Sequence, residues 1–90
     1  MEISFTKTNN KWVSEFQVTS DFNIHLERNE GGTITIEQRT SDGQYDIVKS
    51  AKFPLNDKVI DCDFQALVYP KYIKIISDVN PTLAVVTFNE

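Results

Sequence analysis

Apolar and polar residues alternate with a period of two through most of the chain, and a helical period is almost absent. The elements this sequence predicts are therefore strands. Ile3 and Phe5 alternate with Glu2, Ser4 and Thr6. Asn9-Asn10-Lys11 follows, and asparagine tolerates the left-handed backbone that a tight reversal needs. Trp12, Phe16 and Val18 then share one face, opposite Glu15, Gln17 and Thr19, so the first two runs predict a hairpin.

Phe22, Ile24 and Leu26 alternate with Asn23, His25 and Glu27. Asn29-Glu30-Gly31-Gly32 reverses the chain, and the next run sets Ile34 and Ile36 against Thr33, Thr35, Glu37 and Arg39. Ser41-Asp42-Gly43 is the strongest hairpin signal, an Asp-Gly pair leading into Tyr45-Asp46-Ile47-Val48-Lys49. Residues 22–49 thus predict a three-strand meander.

The second half is less regular. Phe53-Pro54 marks a break, because proline cannot donate to a ladder. Val59 to Asp63 predicts a short strand, and Asp63 is a candidate cap for a single helical turn within 63–69 that Pro70 would end. Tyr72 to Ser77 predicts another strand, and Asp78-Val79-Asn80-Pro81 a turn. The last run has Leu83 and Val85 on one side and Ala84, Val86 and Phe88 on the other. It is apolar on both faces, which suits a central or interface strand.

Seven to eight short strands with turn signals between them predict an all-β fold: an antiparallel β-sandwich, jelly-roll or immunoglobulin-like, in a single domain over residues 1–90. The expected core is Phe5, Trp12, Phe16, Val18, Phe22, Ile24, Leu26, Ile34, Ile36, Ile47, Ile73, Ile75 and Val85. The doubly apolar last strand and the aromatics beside it give a candidate interface of Leu83, Val85, Val86, Phe88, Tyr69 and Tyr72.

Charge narrows the function classes. The net charge is −4 and the lysines and arginines are scattered singly, so no nucleic-acid partner is expected. A single cysteine, Cys62, gives no intrachain disulfide, and MEISFTKTNN lacks the pattern of a signal peptide. No apolar stretch approaches the roughly 20 residues that span a bilayer, so no membrane is expected either. The expected site of action is the cytoplasm, or a particle assembled there.

Candidate chemistry is sparse. His25, the only histidine, lies opposite the apolar face of its strand, where alternation predicts a solvated or cross-strand-paired ring. Zinc would need several N or S ligands, and only His25 and Cys62 qualify. Asp61-Cys62-Asp63 offers two carboxylates to a hard cation, yet no glycine follows as in calcium loops. Alternation alone accounts for an inward Cys62 between two outward acids. Asp42-Gly43-Gln44-Tyr45-Asp46 is explained by its turn, and Gly31-Gly32 lacks the Lys-Ser/Thr of a phosphate loop. No catalytic residue, metal or cofactor is expected. Trp12, Tyr45, Tyr69 and Tyr72 would make a sugar-stacking platform if they gathered on one surface.

Residues 31–88 resemble a pattern of small tailed-phage virion proteins. Its parts are the strand Gly32-Thr33-Ile34-Thr35-Ile36-Glu37-Gln38, the hairpin Thr40-Ser41-Asp42-Gly43-Gln44-Tyr45 and the strand Pro70-Lys71-Tyr72-Ile73-Lys74-Ile75. Phe22 to Arg28 and Asp63 to Pro70 look like short structural proteins of phages infecting Bacteroidetes, including the crAss-like group. The resemblance implies a non-enzymatic β-sandwich of the virion. Such a protein decorates the capsid or anchors head fibres through protein contacts, with capsid or head-fibre proteins as partners, or copies of itself. The alternative is a small carbohydrate-binding module of a phage or bacterial surface assembly.

Overall fold

The computed structural model describes residues 1–29, 33–39, 45–53, 58–64 and 69–89. Among them are eight strands and no helix: β1 (Thr6–Thr8), β2 (Lys11–Val18), β3 (Asp21–Glu27), β4 (Ile34–Arg39), β5 (Tyr45–Phe53), β6 (Val59–Phe64), β7 (Lys71–Ser77) and β8 (Leu83–Asn89). They form two antiparallel sheets, a large one in the order β1-β2-β7-β4-β5 and a small one in the order β6-β3-β8. The N-terminal segment adds to the free edge of β8 through a bridge from Glu2 to Val85. Backbone bonds flank it, from Ile3 N to Ala84 O and from Val86 N to Met1 O.

The pairings identify the architecture. The N-terminal segment pairs with β8, β2 with β7, β3 with β6 and β4 with β5. These are the paired arms of one long hairpin rolled up on itself, so that β3 also meets β8 and β4 also meets β7. Of the two sandwich forms expected, this is the jelly roll. The chain crosses from the small sheet to the large one between Glu2 and Thr6, so one arm serves both.

Alternation explains the core. Phe22, Ile24 and Leu26 of β3 face Ile34 and Ile36 of β4, Ile73 and Ile75 of β7, and Val18 of β2, all fully buried. Phe22 stacks on Phe64, with ring centroids 5.0 Å apart. The hairpin at the start turns through Asn9 and Asn10, with φ of 50° and 64°, the left-handed conformation expected of an Asn-Asn pair.

Several expectations change. Residues 22–49 do not form one meander: β3 belongs to the small sheet and β4 to the large sheet, so the chain between them crosses the sandwich. The inward face of β8 is Ala84, Val86 and Phe88, because register sets Val86 opposite Ile24 and Ala84 opposite Leu26. Val85 therefore turns outward and is half-buried instead of lying in the core. Phe5 and Phe16 are half-buried and pack at its margin, and Trp12 is half-buried without joining it. Ser14 and Ser77 occupy inward positions that apolar patterning passed over, and Ser77 turns its hydroxyl to Val79 O at 2.6 Å. Asp63 and Phe64 continue β6 where a helical turn was expected to start. The rest of that turn, the turns at Gly31-Gly32 and Ser41-Asp42-Gly43, Pro54, and the side chains of Tyr45 and Ile47 lie outside the described residues.

Candidate functional site

The outer face of the small sheet is built by the odd-numbered residues of three strands. Register lays them out in rows: Asp63, Asn23 and Thr87; then Asp61, His25 and Val85; then Val59, Glu27 and Leu83. Glu2 extends the middle row beyond Val85. The apolar members lie toward one end and along β8. Val59 is 60% exposed and Leu83 38% exposed, although both belong to regular strands.

His25 is the centre of a polar network. Its Nδ1 lies 2.8 Å from Asp61 Oδ2 and its Nε2 lies 2.8 Å from Glu27 Oε2. A neutral imidazole has one donor nitrogen, so two carboxylate partners call for the doubly protonated ring. The hydrogen bonds the ring donates to Glu27 and Asp61 accordingly raise the His25 pKa above its ordinary value. Asn23 Nδ2 donates to Asp61 Oδ1 at 2.7 Å and to Asp63 Oδ1 at 2.9 Å. Asn23 first, and His25 second, hold the Asp61 carboxyl below the usual range. Cys62, between the acids, turns inward against the core, and burial raises its thiol pKa with help from Asp63 and Asp61. The two acids are thus satisfied by an amide and an imidazolium. Among the described residues no group of three or more His, Cys, Asp or Glu converges to hold a metal ion.

The outer face of the large sheet is different. Lys74 lies in register between Glu15 and Glu37, with its Nζ 3.7 Å from Glu15 Oε1. Tyr72, 44% exposed, lies beside Gln17 on that same face. An open groove of about 290 Å³ runs between residues 2–5 and 80–84, where the N-terminal segment leaves β8 for β2.

The six expected interface residues do not form one surface. Val86 is fully buried and belongs to the core. Phe88 packs inward against the core, and Tyr69 does the same while donating its hydroxyl to Asp21 Oδ1 at 2.7 Å. Tyr72 belongs to the opposite sheet, which leaves Leu83 and Val85 together on the small sheet. Among the described residues the sugar platform does not assemble either. Trp12 and Tyr72 lie on opposite faces at opposite ends of the β2–β7 pairing, and Tyr69 is tied to β3. The sequence reading missed Val59. Its odd position, shared with Asp61 and Asp63, was the available signal that it points outward. His25 is the cross-strand-paired histidine that alternation predicts. No family model, curated protein or solved structure matches this chain.

Proposed function

We propose that this chain is a non-enzymatic docking module, an accessory piece of a phage virion that binds the capsid or head-fibre proteins through the outer face of its small sheet. The observation that carries the reading is the exposure of Val59 and Leu83 in one row, with Val85 beside Leu83 on the same strand. Apolar side chains grouped on a polar-rimmed sheet face are the anatomy of a protein contact. Asp61, Asp63 and Glu2 form an acidic rim, and no lysine or arginine of the described strands shares that face, which suits a partner carrying basic residues around an apolar centre. The jelly roll is also used by capsid and lectin domains, and fold by itself favours neither.

The test is co-sedimentation of the purified protein with particles or capsomers lacking it, beside a glycan array. The expected result is retention on particles that Leu83→Glu abolishes while the Tyr72→Ala variant still binds. Retention on glycans, lost on Tyr72→Ala and unaffected by Leu83→Glu, would move the function to the large sheet and to carbohydrate binding.

A further inference from the structure

We infer that His25 is a proton-operated latch that fixes where the Glu27 carboxylate lies, and through it the polarity of the strip between Val59 and Leu83. The inference about docking rests on the docking reading above, whereas the latch itself rests on geometry alone. Register places Glu27 directly between Val59 and Leu83. Its carboxylate is folded back along its own strand to His25 Nε2, at 2.8 Å. The Glu27 backbone is separately anchored, since its carbonyl accepts both the Thr82 amide and the Thr82 hydroxyl, at 2.8 and 3.1 Å. Only the side chain is therefore free to change position.

The two carboxylates on His25 are not equivalent. Asp61 is held a second time by Asn23, while Glu27 has only the imidazole among the bonds described for its carboxylate. A ring that loses one proton keeps one donor. The donor that remains is Nδ1–H, directed at the fixed Asp61, and the Nε2 lone pair then faces Glu27 and repels it. The freed carboxylate moves into the apolar strip and makes it charged.

The groups facing the ring are Asn23 and Glu27 on β3 and Asp61 and Asp63 on β6. β8 offers the uncharged Val85, Leu83 and Thr87, and Glu2 lies beyond Val85. No other cation of the described strands is on this face, so the imidazolium is its counter-charge. Its loss leaves the carboxylates to repel one another. The partner's basic residues meet the rim, which is charged on both sides of the midpoint, whereas a freed Glu27 lies between Val59 and Leu83 against the partner's apolar centre, where it finds no counter-charge; docking is therefore favoured on the acid side of the His25 midpoint and weakened on the basic side.

The experiment begins on the free protein, by nitrogen NMR of the His25 ring across a pH titration. Both nitrogens should carry protons below a midpoint higher than that of an ordinary histidine, and above it the remaining proton should be on Nδ1. Glu27→Gln should lower the midpoint and leave the Nδ1 proton in place; Asp61→Asn should lower the midpoint and remove the preference for Nδ1. A midpoint at or below the ordinary value, or a neutral ring protonated on Nε2, overturns the latch. The second arm repeats co-sedimentation with particles on each side of the midpoint. Wild type should lose binding on the basic side and Glu27→Gln should bind equally on both. Binding that ignores pH in the wild type overturns the control of docking. Absence of binding at any pH overturns the docking reading, with the latch then decided by the ring spectra.

Discussion

Each sheet places one cation between carboxylates on its outer face, and the two cations are chemically different. The large sheet uses Lys74, in register between Glu15 and Glu37. The small sheet uses His25, between Asp61 across the strands and Glu27 along its own. An ammonium keeps its charge well past neutral pH, and an imidazolium does not. The charge that Lys74 brings to the large sheet is therefore fixed, whereas the balance around His25 depends on one proton. Apolar side chains lie on both outer faces, Val59, Leu83 and Val85 on the proton-dependent one and Val13, Tyr72 and Ile76 on the other, so the two faces are distinguished by the chemistry of their cations. One core supports two surfaces, one constant and one conditional.

The largest effects should come from that core and should fail to distinguish the sheets. Ile36→Ala in the large sheet and Ile24→Ala in the small one both remove fully buried side chains. Each should cost about 2–5 kcal/mol in urea melts, by lost burial plus the cavity left behind. Fluorescence and circular dichroism should give coincident transitions in both variants, as for a single cooperative unit. A small sheet that melts ahead of the large one would break the comparison at its root, because the outer faces would then belong to bodies of unequal stability.

The turn at Asn9-Asn10 belongs to the large sheet alone, and offers the next largest effect. Asn10 has φ of 64°, which a β-branched residue reaches only at a cost. Asn10→Val should destabilise by about 1–2 kcal/mol, while Asn10→Gly should be close to neutral. Hydrogen exchange should localise the loss to β1 and the start of β2. A loss spread equally over β3 and β6 would mean that the sheets are more tightly coupled than their separate ladders indicate.

The sequence made the strands legible and left the partnerships obscure. Alternation marks Phe22, Ile24 and Leu26 as one face without reference to any other segment, and the Asn-Asn pair announces its own turn. It does not tell whether a reversal returns to the same sheet. The segment after Glu27 therefore read as a hairpin although it crosses the sandwich. A strand apolar on both faces has no parity of its own, and β8 acquires one only from its register with β3. The candidate site was hidden for the same reason. His25 and Asp61 are 36 residues apart and become neighbours only through the β3–β6 pairing. Glu27, two residues from His25, was visible as a same-face neighbour, but its meaning depends on that distant acid.

Reversing the fixed cation sharpens the contrast at lower cost. Lys74→Glu would line up three carboxylates across β2, β7 and β4. Like charges directly opposite on a sheet should cost on the order of 1 kcal/mol at low ionic strength, and added salt should recover most of it. Docking to particles should survive, because the substitution is on the other face. Loss of docking without loss of fold would transfer the partner to the large sheet.

The smallest effect separates the two cations by protons. A histidine whose pKa is raised in the folded state stabilises fully below its unfolded value, about 6.5, and the stabilisation is lost as pH rises through the folded value. The Asp61 carboxyl, held low by Asn23 and His25, contributes with the opposite sign. Its share is present above the ordinary carboxylate value and is lost as pH falls through the folded one. The network is therefore strongest between the two, and stability should decline on the basic side as His25 gives up its proton. The difference between wild type and His25→Gln isolates the ring, since every other titrating group is shared. Between about pH 6 and about pH 8 the wild-type Tm should fall relative to that of His25→Gln, and Lys74→Met should retain the wild-type fall. Equal pH slopes in wild type and His25→Gln would show that His25 contributes no conditional charge, and that the small sheet is as constant as the large one.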